Sequence, residues 1–450
     1  MAAIIAGLVS LNACSLAPLG PNSALPANAN SAAAPDGSSG KYISHIVIII
    51  QENRSFDNFF ADFPGAEGAT QGMMKTPSGD KVVQLQPSRL EMDSLGHEHH
   101  SFELEYDHGK MDGFNLVKRE LAHGQKVRSG TYAYRYVEPK YIAPYWTMAQ
   151  QYVLADHMFS TQSSSSFTAH QDLIAGGTPV DGDNVIDFPT PSSWGCNAPP
   201  GTVTSLITTS GKYLLDKGPF PCFEYSTLRD LLDAKKLPWL YFTNTSKSSV
   251  WNAFDAIDAV RNGPQWKTNI VTPQTRIYQA VESAQLPAVS WVLPDALDSD
   301  HPGLHSDSGP SWVASVVNAV GESAYWSSTA IVVVWDDWGG YFDNVTPPQV
   351  DGQGYGFRVP MIVISPYARE NTPNVPGYIS HTQYNFGSII RFVEDNWGLG
   401  RLGTSDVNSK SIGDCFDFKR APRAFVPIAT KYSKTYFERR PPSGLPLDDY

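Results

Sequence analysis

Unbroken aliphatic runs, each followed by polar residues, form the strongest pattern along this chain. One run occupies residues 46–50 and leads directly into Gln51, Glu52 and Asn53. An aliphatic run without alternation predicts a strand that is buried on both faces of a parallel sheet. The polar residues then lie at the carboxyl end of that strand, where open α/β sheets place their ligands. Because a carboxylate above an apolar core needs a partner, Glu52 predicts that other polar groups converge on it.

Strand and helix patterns alternate along the rest of the chain. Further strands are predicted at residues 152–159, 239–243, 288–293, 330–335 and 359–365. Helices are predicted at residues 167–176, 226–236, 274–284, 312–325 and 381–397. This alternation predicts an α/β fold with a mostly parallel, doubly wound sheet flanked by helices. Two Gly- and Pro-rich stretches, residues 61–140 and 177–224, are predicted to be loop-rich insertions.

Acidic and hydroxyl residues recur where these predicted strands end. They are the serine run at residues 160–166, the acidic stretch at residues 295–301 and the pair Asp336–Asp337. Two adjacent aspartates repel each other in a low-dielectric opening, and a divalent cation relieves that repulsion. Glu52, Asp336 and Asp337 are therefore predicted to hold one divalent metal ion, with Asn53 as a neutral ligand or a substrate contact. In the alternative, the aspartates cap a helix or turn and Glu52 pairs with Arg54.

A serine-rich turn and a histidine group supply further candidates. The serine turn lies between a predicted strand and helix, so one serine is either a nucleophile or the helix N-cap, and the cap is the commoner role. The histidine group, within the first insertion, consists of His97, His99, His100 and His108. Its spacing matches no strong zinc pattern, and we expect one of the four to have a functional role.

Composition narrows the classes of function. Lys and Arg number 33 against 45 Asp and Glu, which gives a net charge of −12 and argues against a nucleic-acid partner. A hydrophobic content of 41% with 12% aromatic residues is typical of a globular, enzyme-like protein. The 450 residues allow several domains, but the pattern favours a single domain at residues 41–430, followed by a C-terminal tail at 431–450.

The N-terminal residues are predicted to lie outside the fold. Residues 1–14 are mostly small or aliphatic, and Leu11-Asn12-Ala13-Cys14 resembles a bacterial lipobox. This predicts a lipoprotein-type signal segment, a lipid on Cys14 that anchors the protein to a membrane, and a flexible linker at residues 15–40. The location would then be extracytoplasmic: periplasmic, at the cell surface, or secreted. An Ala-rich tail without a signal function is the alternative.

The remaining cysteines allow two arrangements. In an oxidising compartment, Cys196 and Cys222 would pair within the second insertion and leave Cys415 over. Three unpaired buried thiols fit the sequence equally well.

Four motifs follow one another in order between residues 43 and 400. They are residues 52–57 (Glu-Asn-Arg-Ser-Phe-Asp), 109–113 (Gly-Lys-Met-Asp-Gly), 300–302 (Asp-His-Pro) and 335–343 (Trp-Asp-Asp-Trp-Gly-Gly-Tyr-Phe-Asp). Together they resemble the phosphoesterase family of bacterial and plant non-specific phospholipases C and related acid phosphatases. The resemblance implies an alkaline-phosphatase-like fold, which agrees with the α/β prediction.

The resemblance also implies roles for the metal ligands and the nucleophile. Glu52 and Asn53 match the family's first metal- and phosphate-binding pair, and Asp336 and Asp337 match its acidic pair on the metal. Ser166 falls where the family has its Ser or Thr nucleophile.

Three histidines receive roles from the same resemblance. His301 and His97 match active-site histidines, and His381 resembles a supporting position in contact with the substrate phosphate.

The sequence departs from the family pattern in two places. The family usually has Pro-Asn-Arg after its nucleophile, whereas residues 168–170 are Thr-Ala-His, so Ser163, Ser164 and Ser165 remain alternative nucleophiles. Without that Arg, the phosphate charge is left to the metal, to His170 or to Arg54. Trp338 stands where the family often has His, which predicts a more aromatic mouth.

The activity implied is metal-dependent, phospholipase C-like hydrolysis of a phosphate ester, with a phospholipid as one form of the substrate. Ser166 would attack phosphorus to form a phosphoserine, and His301 or His97 would protonate the leaving alcohol. Two alternatives remain. One is an acid phosphatase acting on phosphomonoesters, and the other is a non-catalytic surface lipoprotein that keeps the fold as a binding module.

Overall fold

A computed structural model describes residues 40–121, 124–190, 195–244, 249–350, 354–372 and 377–445. The predicted signal segment, the lipid anchor on Cys14 and the linker up to residue 39 lie outside these residues. Within the described ranges, no helix combines the length and the apolar character needed to cross a lipid bilayer.

An eight-stranded sheet forms the centre of the fold. Its strands, numbered along the chain, are β1 (His45–Gln51), β2 (Val153–Ala155), β3 (Trp239–Phe242), β4 (Ile270–Val271), β5 (Val289–Val292), β6 (Thr329–Trp335), β7 (Met361–Ile364) and β8 (Tyr378–Ser380). They are hydrogen-bonded in the order β4-β3-β5-β1-β6-β7-β2-β8. β7 is antiparallel to both of its neighbours, and the other pairings are parallel. The predicted mostly parallel α/β sheet is confirmed.

The two strongest aliphatic runs lie side by side in the middle of this sheet. β1 pairs with β6 from His45 opposite Thr329 to Gln51 opposite Trp335. β6 is buried throughout, and β1 is buried from its second residue onward. Burial on both faces explains why neither run alternates with polar residues. The shared register also means that the residues after Gln51 and after Trp335 emerge next to each other.

Helices cover the two faces of the sheet. The α-helices of the described ranges are α1 (Phe56–Phe60), α2 (His99–Tyr106), α3 (Ala143–Gln151), α4 (Ser166–Ala175), α5 (Leu228–Ala234), α6 (Asp258–Arg261), α7 (Gln265–Thr268), α8 (Arg276–Glu282), α9 (Gly309–Gly321), α10 (Phe386–Trp397), α11 (Ser405–Asn408) and α12 (Lys434–Arg439). α4 is buried along its whole length. α12 lies in the predicted C-terminal tail and packs on α9, with the Phe437 ring 5.5 Å from that of Trp312.

The two predicted insertions carry small sheets of their own. The first contains paired strands Gln71–Met74 with Lys81–Gln84, Gln86–Ser88 with Arg135–Val137, and Lys118–Glu120 with Lys126–Arg128. The second contains an antiparallel sheet of Asn184–Thr190, Val203–Thr208 and Tyr213–Leu214. A disulfide joins Cys196 to Cys222, and Cys415 is a buried free thiol, so the pairing alternative is correct.

Candidate active site

The predicted site residues other than His381 meet at one edge of the central sheet, where β1, β2, β5 and β6 end. Glu52, Asn53, Ser166, Asp336 and Asp337 are fully buried there. His97 enters from the first insertion and is 1% exposed, and His301, which follows β5, is 8% exposed. Polar groups from several strand ends thus lie together, His170 and Asp336 near Glu52 and the others around Asn53.

Asn53 joins the separate parts of this cluster. Its backbone N–H donates to Asp336 Oδ1 at 2.9 Å. Its side-chain nitrogen lies 2.8 Å from His97 Nε2, 3.1 Å from Asp337 Oδ2 and 3.2 Å from Ser166 Oγ. The backbone of Asn53 is left-handed, with φ of 56°, a conformation that asparagine adopts more readily than most residues. The turn after β1 therefore places one amide against a hydroxyl, a carboxylate and an imidazole.

Two glycines of the 335–343 motif allow this close approach. Gly339 has φ of 63°, and a Cβ at this position would lie 2.2 Å from the Asn53 carbonyl oxygen. Gly340 has φ of 73°, and a Cβ there would lie 2.6 Å from the carbonyl oxygen of Gly96, next to His97. Because neither site has room for a side chain, the two glycines let the loop after β6 pack against both partner loops.

Ser166 is the serine whose hydroxyl reaches the cluster. Its Oγ donates to Asp337 Oδ2 at 3.1 Å. The Ser163 hydroxyl lies 3.1 Å from His99 Nδ1, and the Ser164 hydroxyl donates to Asp187. The Ser165 hydroxyl is buried and has no hydrogen-bond partner among the described residues. Ser165 is the N-cap residue of α4, and Ser166 begins the helix. The hydroxyl contacts thus distinguish Ser166, which contacts Asp337, from Ser163, Ser164 and Ser165.

The two predicted histidines lie next to each other, and His97 Nε2 is 3.7 Å from Asp337 Oδ2. The Nδ1 of His97 is 2.7 Å from the Leu95 carbonyl oxygen, so Nδ1 carries the hydrogen and Nε2 faces the Asn53 amide. His301 Nδ1 lies 2.6 Å from the Pro302 carbonyl oxygen. The two ring centroids are 6.5 Å apart, and the Trp251 ring packs against His301 at 5.9 Å. His301 is the more exposed of the two and lies towards solvent.

A buried group of three side chains fits a metal ion. Ligand atoms of Glu52, His170 and Asp336 all lie within 4.8 Å of one another. His170 Nε2 is 3.0 Å from Glu52 Oε1 and 3.8 Å from Asp336 Oδ2. Asp336 Oδ2 is buried and accepts no hydrogen bond from the described residues. The two carboxylates and the imidazole form a donor set that suits a divalent cation, and Asp336 Oδ2 is available as one of its ligand atoms.

This grouping differs from the predicted set of metal ligands. Asn53 and Asp337 contact Ser166 and His97, whereas His170 joins Glu52 and Asp336. From the sequence, His170 was expected only as a possible partner of the phosphate. A further signal was present, because His170 follows Ser166 by four residues, which places both on one face of α4.

Comparisons with known proteins agree with the motifs. The model of the Phosphoesterase family matches residues 43–400, most of the chain. The chain belongs to the phosphoesterase family. A non-hemolytic phospholipase C of Pseudomonas aeruginosa is 25% identical over an alignment that covers 83% of this chain and 56% of that protein. Phospholipase C A of Mycobacterium tuberculosis is 24% identical, with coverage of 86% and 79%.

The match to the phosphoesterase family confirms the resemblance drawn from the four motifs. The chain spans little more than half of the Pseudomonas relative. A solved structure of an alkaline phosphatase superfamily protein from Vibrio parahaemolyticus is 12% identical, with a TM-score of 0.37 over 88% of this chain and 77% of that one. At this score the likeness adds nothing to the family assignment.

Arg54 does not face the phosphoesterase site, although the sequence offered it as a phosphate partner. Its Nε and Nη2 donate to the Asp300 carbonyl oxygen at 2.9 and 2.6 Å, and its Nη1 donates to Asn58 Oδ1 at 3.2 Å. Burial lowers the pKa of Arg54. Arg54 therefore fixes the loop that carries His301.

His381 also lies outside the cluster. Its side chain is 61% exposed, and its Nδ1 lies 2.8 Å from Asp156 Oδ2. The structure does not bring His381 to Ser166 or to the carboxylates, in contrast to the expected phosphate contact.

Trp338 forms an inner wall of the site, whereas the sequence predicted an aromatic mouth. The indole is fully buried, lies 6.4 Å from the His97 ring centroid, and donates its N–H to Glu105 Oε2 at 2.7 Å. Burial raises the pKa of Glu105 well above its ordinary value. Burial therefore favours the neutral form of the Glu105 carboxyl that accepts this hydrogen bond.

Proposed function

We propose that this chain is a metal-dependent, phospholipase C-like hydrolase of phosphate esters with Ser166 as its nucleophile. The observation that carries the proposal is the Ser166 hydroxyl, buried between Asp337 and the Asn53 amide next to the Glu52–His170–Asp336 group. Family membership supports the class of reaction.

The contacts of Ser166 favour attack on phosphorus. Asp337 accepts the hydroxyl hydrogen and so orients an oxygen lone pair away from the carboxylate. The Asn53 amide is placed to donate to a phosphoryl oxygen once substrate displaces one of its present contacts. A divalent ion held by Glu52, His170 and Asp336 would supply positive charge for the phosphoryl oxygens.

Two steps complete the proposed reaction. In the first, the Ser166 hydroxyl proton passes to Asp337, the Ser166 Oγ–P bond forms, the bond from phosphorus to the alcohol oxygen breaks, and His301 gives that oxygen a proton. In the second, His301 takes a proton from a water whose oxygen bonds to phosphorus, the Ser166 Oγ–P bond breaks, and Asp337 returns the proton to Ser166. His301 suits the leaving-group side because it is the most exposed imidazole of the cluster. His97, held by Leu95 and Asn53, suits the positioning of the phosphoryl group.

The names of the relatives favour a phosphodiester lipid as substrate. Both are called phospholipase C, an activity that cleaves on the glycerol side of the phosphate and releases diacylglycerol. We place the protein outside the cytoplasm, because a disulfide such as Cys196–Cys222 persists in oxidising compartments. A lipid anchor on Cys14 remains part of this proposal.

Assays of two neighbouring serine variants test the proposal. Purified Ser166→Ala should lose about 10³-fold or more in turnover of phosphatidylcholine, measured as diacylglycerol release. Ser165→Ala is the matched control and should keep wild-type turnover, since its hydroxyl has no partner among the described residues. Wild-type turnover in Ser166→Ala would refute the nucleophile. Inorganic phosphate released from monoesters, without diacylglycerol release, would replace phospholipase C with acid phosphatase.

The binding-module alternative loses its main argument. It was based on the Thr-Ala-His sequence at residues 168–170, where the family has Pro-Asn-Arg. His170 contacts Glu52 and belongs to the candidate metal group, so the substitution adds a metal-ligating side chain to the site. A wild-type protein that hydrolyses neither diesters nor monoesters, with metal present, would restore the alternative.

A further inference from the structure

We propose that His170 makes the cation site a mixed nitrogen–oxygen site, which selects Zn²⁺ or a similar transition metal over Mg²⁺ and Ca²⁺. The inference deepens the proposed function, because it concerns the metal of the same site. It rests on the side chain that replaces the expected Arg after the nucleophile.

The position of His170 leaves its imidazole little freedom to turn elsewhere. The residue is fully buried in the middle of α4, a helix that is itself buried from Ser166 to Ala175. Its Nε2 points at Glu52 Oε1, 3.0 Å away, with Asp336 Oδ2 at 3.8 Å. In a tetrahedral zinc site the ligand atoms are about 3.3 Å apart, given metal–ligand bonds of roughly 2.0–2.1 Å. The observed distances lie on either side of that value.

The oxygen ligands of the group are also set in place. Asp336 Oδ1 accepts the Asn53 backbone N–H, and this contact turns Oδ2 towards His170. That buried oxygen accepts no hydrogen bond from the described part of the chain, and so an ion is the partner it lacks. Three protein ligands with a further position for substrate are the usual composition of a catalytic zinc site.

The imidazole decides between the classes of metal. Mg²⁺ and Ca²⁺ are hard cations that prefer oxygen ligands, whereas imidazole favours zinc and the later transition metals. A site of carboxylates alone would not discriminate in this way. The competing interpretation is that a protonated His170 simply forms an ion pair with Glu52 and takes the place of a cation, in which case no ion binds between them.

Metal titrations of metal-free full-length protein separate these interpretations. Competition with a chromophoric chelator should give one Zn²⁺ per chain, bound at least about 100-fold more tightly than Mg²⁺ or Ca²⁺. His170→Gln should weaken Zn²⁺ binding about 10- to 100-fold while changing Mg²⁺ and Ca²⁺ binding by less than about threefold. His100→Gln is the control. It also removes one imidazole, but from a side chain that is 70% exposed and lies outside the site. Unchanged Zn²⁺ affinity in His170→Gln, or a preference for Mg²⁺ or Ca²⁺ in the wild type, would overturn the proposal.

A second measurement needs no variant and therefore covers the case in which His170→Gln fails to fold. X-ray absorption fine structure of the zinc-loaded wild type should contain the scattering of one imidazole in the metal shell. A shell of oxygen ligands alone would overturn the proposal. Both readouts are independent of turnover. Zinc binding through His170 without phosphoester hydrolysis would refute only the proposed function, and hydrolysis with an all-oxygen site would refute only the role of His170.

Discussion

Two buried clusters of carboxylates are built from the same two motifs, residues 52–57 and 335–343. The first residues of each motif supply Glu52, Asp336 and Asp337 to the candidate active site. The last residue of each motif, Asp57 and Asp343, lies in a separate cluster that is equally buried. The chain therefore uses each motif twice, and the two clusters differ in how their negative charge is compensated.

In the Asp57–Asp343 cluster a cationic side chain from the protein compensates the charge. Arg358 donates through Nε and Nη2 to the two oxygens of Asp343 at 2.8 and 3.0 Å, and its Nη2 lies 3.6 Å from Asp57. Its Nη1 donates to the carbonyl oxygens of Glu67 and Asp156. Burial lowers the pKa of Arg358, but Asp343 and Asp57 raise it above its ordinary value. In the candidate active site the carboxylates instead contact the imidazoles of His97 and His170 and the amide of Asn53. On the proposed function, the Asp57–Asp343 cluster stabilises the fold and the active-site cluster binds an ion and a phosphate.

Exchanging one aspartate in each cluster should produce opposite defects, and the loss of activity should be the largest effect. Asp336→Asn should lower turnover roughly 10³-fold or more and abolish tight metal binding, because it removes a carboxylate ligand. Its unfolding free energy in chelator should be no lower than that of the wild type, since a buried charge is removed. Asp343→Asn, the counterpart, should bind metal normally and unfold at lower urea. Equal behaviour of the two variants would contradict the comparison.

Removing the cation of the structural cluster should cost stability. Arg358→Met leaves Asp57 and Asp343 buried without their partner, and we expect a loss of about 3–5 kcal/mol in the free energy of unfolding. Urea unfolding followed by circular dichroism measures this. Arg89→Met, at an exposed side chain, is the control and should change stability by less than about 1 kcal/mol. A loss in Arg358→Met no larger than in this control would mean that the ion pairs do not hold the cluster together.

A third buried carboxyl, that of Asp300, has no side-chain salt bridge among the described residues to stabilise its charged form, and its pKa is raised. Burial raises its pKa to about 7, and the Tyr145 hydroxyl, which donates to Oδ2 at 2.6 Å, opposes this shift. Between about pH 4 and pH 7 the unfolded chain loses this proton and the folded chain keeps it, so stability falls as the pH rises. The fall amounts to at most roughly 4 kcal/mol, and Asp300→Asn should lack it.

Urea unfolding at about pH 5 and about pH 8 measures this difference. The wild type should lose more stability between the two values than Asp300→Asn does. Parallel pH profiles for the two proteins would show that Asp300 does not hold its proton in the folded state.

The smallest effect concerns the glycine that joins the two loops of the active site. Gly339→Ala would place a Cβ 2.2 Å from the Asn53 carbonyl oxygen. We therefore expect a loss of about 1–3 kcal/mol in the free energy of unfolding, together with a loss of turnover. Gly398→Ala is the matched control, because its φ of 59° is similar and a Cβ there meets nothing within 4 Å. Full turnover in Gly339→Ala would mean that the close approach is not required.

The sequence predicted the part of the fold that is set by long apolar runs. β1 and β6 were evident because burial on both faces removes alternation, and the polar residues at their ends identified Glu52 and Asp336. The short strands β4 and β8, of two and three residues, carry too little pattern to be recognised. The antiparallel direction of β7 is not encoded in its composition, since a buried strand is apolar in either direction.

The candidate site was predicted less completely than the fold. Ser166 was placed by family resemblance, but its separation from Ser165 depends on where α4 begins, a boundary that sequence patterns locate poorly. The roles of His170 and Arg54 depend on which strand ends their side chains meet, and such long-range contacts leave no local signature. His381 was chosen from its neighbours in sequence, and its partner Asp156 lies 225 residues away.

Anomalous diffraction from crystals grown with Zn²⁺ would locate a bound ion without reference to activity. We expect one strong peak between Glu52, His170 and Asp336, and no peak at the pair of Asp57 and Asp343 that Arg358 neutralises. A zinc-loaded crystal with no peak at the first cluster, or with its peak at the second, would contradict this expectation.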